Sequence, residues 1–151
     1  MSARPRCPEC GAPWTDGNTC QEYLHQMGFW EMENPGVNYQ VHHLMVLCYY
    51  LQHPSLYSPD GLSGAKGLLV DFLEWGISPQ QTRVRDRDKL NSSNRKFKIK
   101  ATPDSHGSYA HPVEWTMTAA DVIARGEPNY VESVRAWAQS ILQALKVSGD
   151  L

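Results

Sequence analysis

The sequence predicts a mainly α protein: a small helical bundle with an N-terminal zinc-binding loop and a short β element near residues 95–117. Three observations carry that prediction. Cys7-Pro8-Glu9-Cys10-Gly11 spaces two thiols by two residues across a turn, with Cys20 following, and such a claw can grip one tetrahedral ion. The stretch from Val41 to Leu51 is apolar nearly all round, as expected of a helix surrounded by partners at about 100° per residue. Tyr130, Val134, Trp137, Ile141, Leu142 and Leu145 fall at helical spacing and give a last helix one apolar stripe.

A chain of 151 residues with 41% apolar content has the size of one domain. Residues 1–151 are therefore expected to form a single domain, with 1–20 as a metal-binding loop packed on the helical core. The chain carries 14 Lys and Arg against 16 Asp and Glu, a formal charge of -2, which removes any whole-chain electrostatic case for nucleic acid or an anionic membrane. No apolar run follows Met1-Ser2-Ala3-Arg4-Pro5-Arg6 at once, and none further on is long enough to span a bilayer. A cytoplasmic protein with no membrane partner is expected. In a reducing compartment four cysteines seldom pair as disulfides, so a metal explains their spacing better.

Residues 7–19 are rich in Pro, Gly, Asp and Asn, which is loop chemistry. Thr19 and Glu22 match a capping box that opens a helix over Cys20–Met27. Cys20 then sits in the first turn, where free backbone N–H groups and the helix dipole favour a thiolate. Asn34-Pro35-Gly36 breaks the chain before a second helix, from about Asn38 to Gln52, that His53-Pro54 closes. His42 and His53 share one stripe of it, yet eleven residues of helix set them roughly 16 Å apart. Only one of them can join the claw. His42, at the first turn, is expected within reach of the N-terminal loop and is selected ahead of His43, giving Cys7, Cys10, Cys20 and His42 as ligands of a structural Zn2+. Cys48 reads as a buried small apolar group.

Ser58-Pro59 is an N-cap followed by proline in the first helical position and Gly76 is a stop, which frames a third helix through Leu68, Leu69, Phe72, Leu73 and Trp75. Gly61, Gly64 and Gly67 weaken its first half. Ser78-Pro79-Gln80-Gln81 repeats the start signal for a short helix toward Leu90. The composition then turns basic from Arg83 to Lys100, and Lys96-Phe97-Lys98-Ile99-Lys100 alternates as a strand with lysines outward. Residues 102–112 have loop composition and leave His106 and His111 in solvent. Trp115 to Thr118 reads as extended, Thr118 and Asp121 form a capping box, and the last helix runs from about Pro128 to Lys146.

These residues also carry a resemblance. The Cys-Pro-x-Cys-Gly start, Cys20, the run from His42 to Pro54, Ala120-Asp121-Val122 and Val134-Arg135-Ala136-Trp137-Ala138 resemble the bacterial family catalogued as domain of unknown function 5946. Its most distinctive pattern, His-x-Leu-x-Val-x-x-Tyr-x-x-Gln-His-Pro, is met by His42, Leu44, Val46, Tyr49, Gln52, His53 and Pro54. The resemblance implies roles for Tyr49, Gln52 and His53 and brings no activity with it.

Three classes of function are consistent with this reading. The first is a zinc-stabilised module of unassigned activity that binds a protein partner, with a closed tetrahedral site. The second is an enzyme with a polar site at His43, Tyr49, Gln52 and His53. The third binds nucleic acid or another anion through residues 83–100. The first is favoured, because Cys and His ligation is closed and the sequence has no paired carboxylates, nucleophile motif or phosphate-binding loop.

Overall fold

A computed structural model describes residues 5–15, 17–85, 101–102 and 104–151. Five longer helices dominate them: α1 (Cys20–Glu33), α2 (Pro35–Leu51), α3 (Pro59–Leu73), α4 (Ala119–Arg125) and α5 (Tyr130–Ser148). Single 3-10 turns at Pro54–Leu56 and Glu127–Asn129 lead out of α2 and into α5. Residues 79–85 are helical too, where Ser78 and Gln81 cap each other: the Gln81 N–H donates to Ser78 Oγ at 3.1 Å and the Ser78 N–H to Gln81 Oε1 at 2.8 Å.

The start signals read from the sequence act unequally. Ser58 Oγ accepts the Gly61 N–H at 2.9 Å with Pro59 in the first helical position, so α3 begins where expected and runs unbroken through its glycines. The Thr118 N–H donates to the Asp121 carboxylate at 2.8 Å at the head of α4. Thr19, by contrast, makes no side-chain cap bond, so the box expected with Glu22 does not form. The α1 helix nevertheless extends past Met27 to Glu33.

Only Asn34 separates α1 from α2, with Pro35 starting the second helix. So short a connection makes consecutive helices antiparallel neighbours. Two contacts fix the register: Glu31 meets His42 near the bend, and Cys20 meets His53 at the open end. Eleven residues separate the partners' positions along each arm.

Helix α2 is the hub. It packs most extensively on α5 and also on α1 and α3, while α4 bridges α1 and α5. Trp137, Tyr130, Met27, Met45, Leu51 and Leu69 are fully buried between them. The three N-terminal cysteines belong to the same contiguous core. Helix α5 ends on Gly149, whose φ of 89° is one that side-chain-bearing residues avoid.

The expected β element is not found. Among the described residues of 101–117 no strand forms, and Thr102 and Ser105 make only an isolated bridge. The backbone there bonds elsewhere: the Ala101 N–H reaches the Leu56 carbonyl at 3.3 Å, and the Gly107 N–H reaches that of Tyr57 at 2.7 Å. Gly107 is required for this docking, since a Cβ would stand 2.9 Å from Leu62 Cδ2 and 3.0 Å from the Pro54 carbonyl oxygen. The strand expected at Lys96–Lys100 and all but the first residues of the basic segment 83–100 lie outside the described residues.

Candidate metal centre

The N-terminal claw is a tight turn. The Gly11 N–H returns to the Cys7 carbonyl at 2.9 Å, the Cys7 N–H reaches Ala12 at 2.9 Å, and Gly11 itself adopts φ 76°. This folding turns both sulfurs to one side. Cys20, as expected, occupies the first turn of α1 and supplies a third sulfur. The fourth group is His53, from the residue that follows the C-cap of α2.

The ligating atoms of Cys7, Cys10, Cys20 and His53 lie within 4.8 Å of one another, and all four residues are buried. Cys10 Sγ is 3.6 Å from Cys20 Sγ, and Cys7 Sγ is 3.5 Å from His53 Nε2. Tetrahedral zinc, with Zn–S of about 2.3 Å and Zn–N of about 2.0–2.1 Å, requires separations of roughly 3.8 Å and roughly 3.6 Å for such pairs. The cluster fits an ion of that size.

The surroundings orient each donor. His53 Nδ1 bonds the Tyr49 carbonyl at 2.6 Å, which assigns the proton to Nδ1 and turns Nε2 toward the sulfurs. The Tyr49 ring lies against the imidazole with centroids 4.4 Å apart. The Trp14 indole N–H donates to Cys20 Sγ at 3.4 Å and the Cys10 N–H to Cys7 Sγ at 3.5 Å, contacts that favour thiolates. Hydrogen bonds from Cys10 and then Cys20 hold Cys7 well below the ordinary thiol range, while Cys20 and then Cys7 drive Cys10 upward. Burial works against a charged His53, but its contacts with the Cys20 and Cys7 sulfurs prevail and lift it to about 10.

His42 is not part of this cluster. Its Nδ1 lies 2.7 Å from Glu31 Oε1, near the bend of the hairpin. Because α2 begins at Pro35, His42 stands past the first turn, and the antiparallel course of α1 sends Cys20 to the opposite end of α2. The one-residue connection at Asn34 was the sequence signal that selects His53.

The polar residues read as an alternative site do not converge. Gln52, with no exposed surface, donates from Nε2 to the Met117 carbonyl at 2.7 Å and accepts the Trp137 indole N–H at 3.1 Å. His43 packs edge-on against Phe72 with centroids 4.8 Å apart, and burial lowers its pKa. Tyr49 and His53 serve the sulfur cluster. Cys48 is fully buried in the core, away from the other thiols. At the start of the basic segment, Arg85 pairs with Asp71 at 2.7 Å.

Sequence reasoning did not anticipate Glu31. It is 1% exposed and takes the His42 imidazole and the Asn38 amide on Oε1, with the Tyr130 hydroxyl on Oε2. Nothing in its helical neighbourhood singles out this carboxylate.

Fold and cluster together define a helical protein with a buried Cys3His set, able to bind a metal ion, at the mouth of its central hairpin. The chain belongs to the family of unknown function DUF5946, whose model matches residues 5–146, nearly its whole length. No curated protein and no solved structure matches it significantly. No helix among the described residues is long and apolar enough to cross a membrane.

Proposed function

We propose that Cys7, Cys10, Cys20 and His53 hold one structural Zn2+ and that the protein is a cytoplasmic interaction module built around it. The observation that carries this reading is the meeting of four buried ligand atoms within 4.8 Å. Three thiolates and one imidazole suit zinc better than harder cations. The set is complete without water, which favours a structural over a catalytic ion. Free thiols are maintained in a reducing compartment. Zinc would neutralise the sulfurs and fasten the N-terminal arm to the α1–α2 hairpin; the protein's own groups supply the orientation, through Tyr49, Trp14 and the Cys10 N–H.

A partner-binding role is supported by the surface. Phe29, Met32, Tyr39 and Trp75 are 56, 80, 75 and 72% exposed and would offer large apolar side chains to such a partner. The test begins with elemental analysis of the purified protein, expected to give one zinc per chain. Cys10→Ser and a strong chelator should each remove the ion and lower the melting temperature by about 5 °C or more. Protein that contains no metal as purified, or melting that neither treatment changes, would overturn the reading.

A further inference from the structure

Beside the metal loop lies a cavity of about 360 Å³. Its boundaries include Glu9, Pro54, Tyr109, His111, Val113 and Trp115. Glu9, Tyr109 and Trp115 are each anchored, the first two by a hydrogen bond and the third by a ring contact. Glu9 Oε1 accepts the Ser55 N–H at 3.1 Å, which ties the metal loop to the 3-10 turn. Tyr109 donates its hydroxyl to the Leu51 carbonyl, leaving the ring as the surface it offers. Trp115 stands with its ring centroid 5.8 Å from that of Tyr109 and the planes at 67°.

Among the described residues, the carboxylates at this cavity are Glu9 and, one step out, Asp150. Glu9 lines it, and the Asp150 carboxylate accepts the N–H of Ala110, another lining residue, at 3.3 Å. Among the described residues no lysine or arginine lines it, and His111 is the one imidazole that does. Burial raises the Tyr109 hydroxyl, and Asp150 and Glu9 both add to that shift, which places both carboxylates within electrostatic reach of the ring. Glu9 would repel an anion placed against it. A neutral apolar ligand would offer Glu9 no counter-charge. A cation with an apolar skin satisfies both the carboxylate and the ring faces.

We propose that this cavity binds an alkylated ammonium group, with Trp115 and Tyr109 as its aromatic partners and Glu9 as its counter-charge. The site is distinct from the sulfur cluster and goes beyond the structural role proposed for that cluster. Rings fixed before the ligand arrives lower the entropic cost of binding, and the cavity is large enough for a trimethylammonium head.

The test compares choline with 3,3-dimethylbutan-1-ol, in which carbon replaces the quaternary nitrogen, by calorimetry and tryptophan fluorescence on the full chain as purified. Choline should bind at least about tenfold more tightly than its neutral isostere. Glu9→Gln, an exposed substitution, should weaken choline several-fold with unchanged melting, and Trp115→Leu should abolish binding. A trimethyllysine peptide in the same titration separates the sources. Tighter binding than choline marks a group carried on a polypeptide, and equal binding marks a free small molecule; either supports the cation site. Equal affinity for choline and the isostere, no choline binding at millimolar concentration, or binding indifferent to Glu9→Gln would overturn the proposal. Metal content measured on the same sample keeps this outcome separate from that of the zinc reading.

Discussion

Nδ1 of His42 lies 2.7 Å from Oε1 of Glu31, a carboxylate with 1% of its surface exposed. The pair closes the bend of the α1–α2 hairpin, and Tyr130 ties the other carboxylate oxygen to α5. His42→Ala should leave the metal content unchanged and cost about 1–3 kcal/mol, since the buried Glu31 loses a donor. His53→Ala should instead lose the ion. Elemental analysis with denaturant unfolding of both variants checks the assignment; metal loss in His42→Ala alone would reverse it.

Gln52 joins two groups that have no alternative partner in the core. Gln52→Leu leaves the Trp137 indole N–H and the Met117 carbonyl without it, at about 1–3 kcal/mol for each unsatisfied group. Trp137→Phe opens a cavity of its own, but with Gln52 already replaced it removes an orphaned donor, so it should cost less in the Gln52→Leu background than in the wild type. A double-mutant cycle by chemical denaturation reads the coupling.

Gly107→Ala should destabilise the protein by about 1–3 kcal/mol through overpacking. The new Cβ meets the Leu62 side chain, which can shift, and the Pro54 carbonyl, which shifts only with its backbone. Thermal melting measures the cost, and tryptophan fluorescence should report displacement of the segment that carries Trp115.

Burial pushes the Tyr57 phenol up to about 12 from an ordinary 10.0 and raises Tyr109 as well. Each phenol holds its proton longer in the folded than in the unfolded chain. The stability this contributes is fully present below pH 10, the ordinary value, and is lost as pH rises through the folded-state values. Melting temperature should fall steeply above that pH, in step with tyrosinate absorbance, and Tyr57→Phe should blunt the fall.

Local sequence signals identified much of the architecture. Ser58-Pro59, Ser78 with Gln81, and the apolar stripe of α5 each work over a single helical turn or face. Cys7, Cys10 and Cys20 were legible because their spacing and helix position are local properties. The fourth member was not, because choosing between His42 and His53 depends on the relative direction of two helices. Gln52 and Glu31 depend on still longer separations, 85 residues to Trp137 and 99 to Tyr130. The segment that begins at Ala101 misled for another reason: Ala101 and Gly107 find their backbone partners in the Leu56–Tyr57 turn, which no alternation of side chains reveals.

The two fasteners of the α1–α2 hairpin are of unlike chemistry and sit about three helical turns apart. A chelator therefore acts as a key to one end only. Removal of the proposed ion should loosen the segment before Cys20, while the bend stays shut and the buried Trp137 and Met45 keep their neighbours. The species expected is a folded body trailing a loose tether, and Glu9, carried on that tether, should take with it the acidic wall of the adjoining cavity.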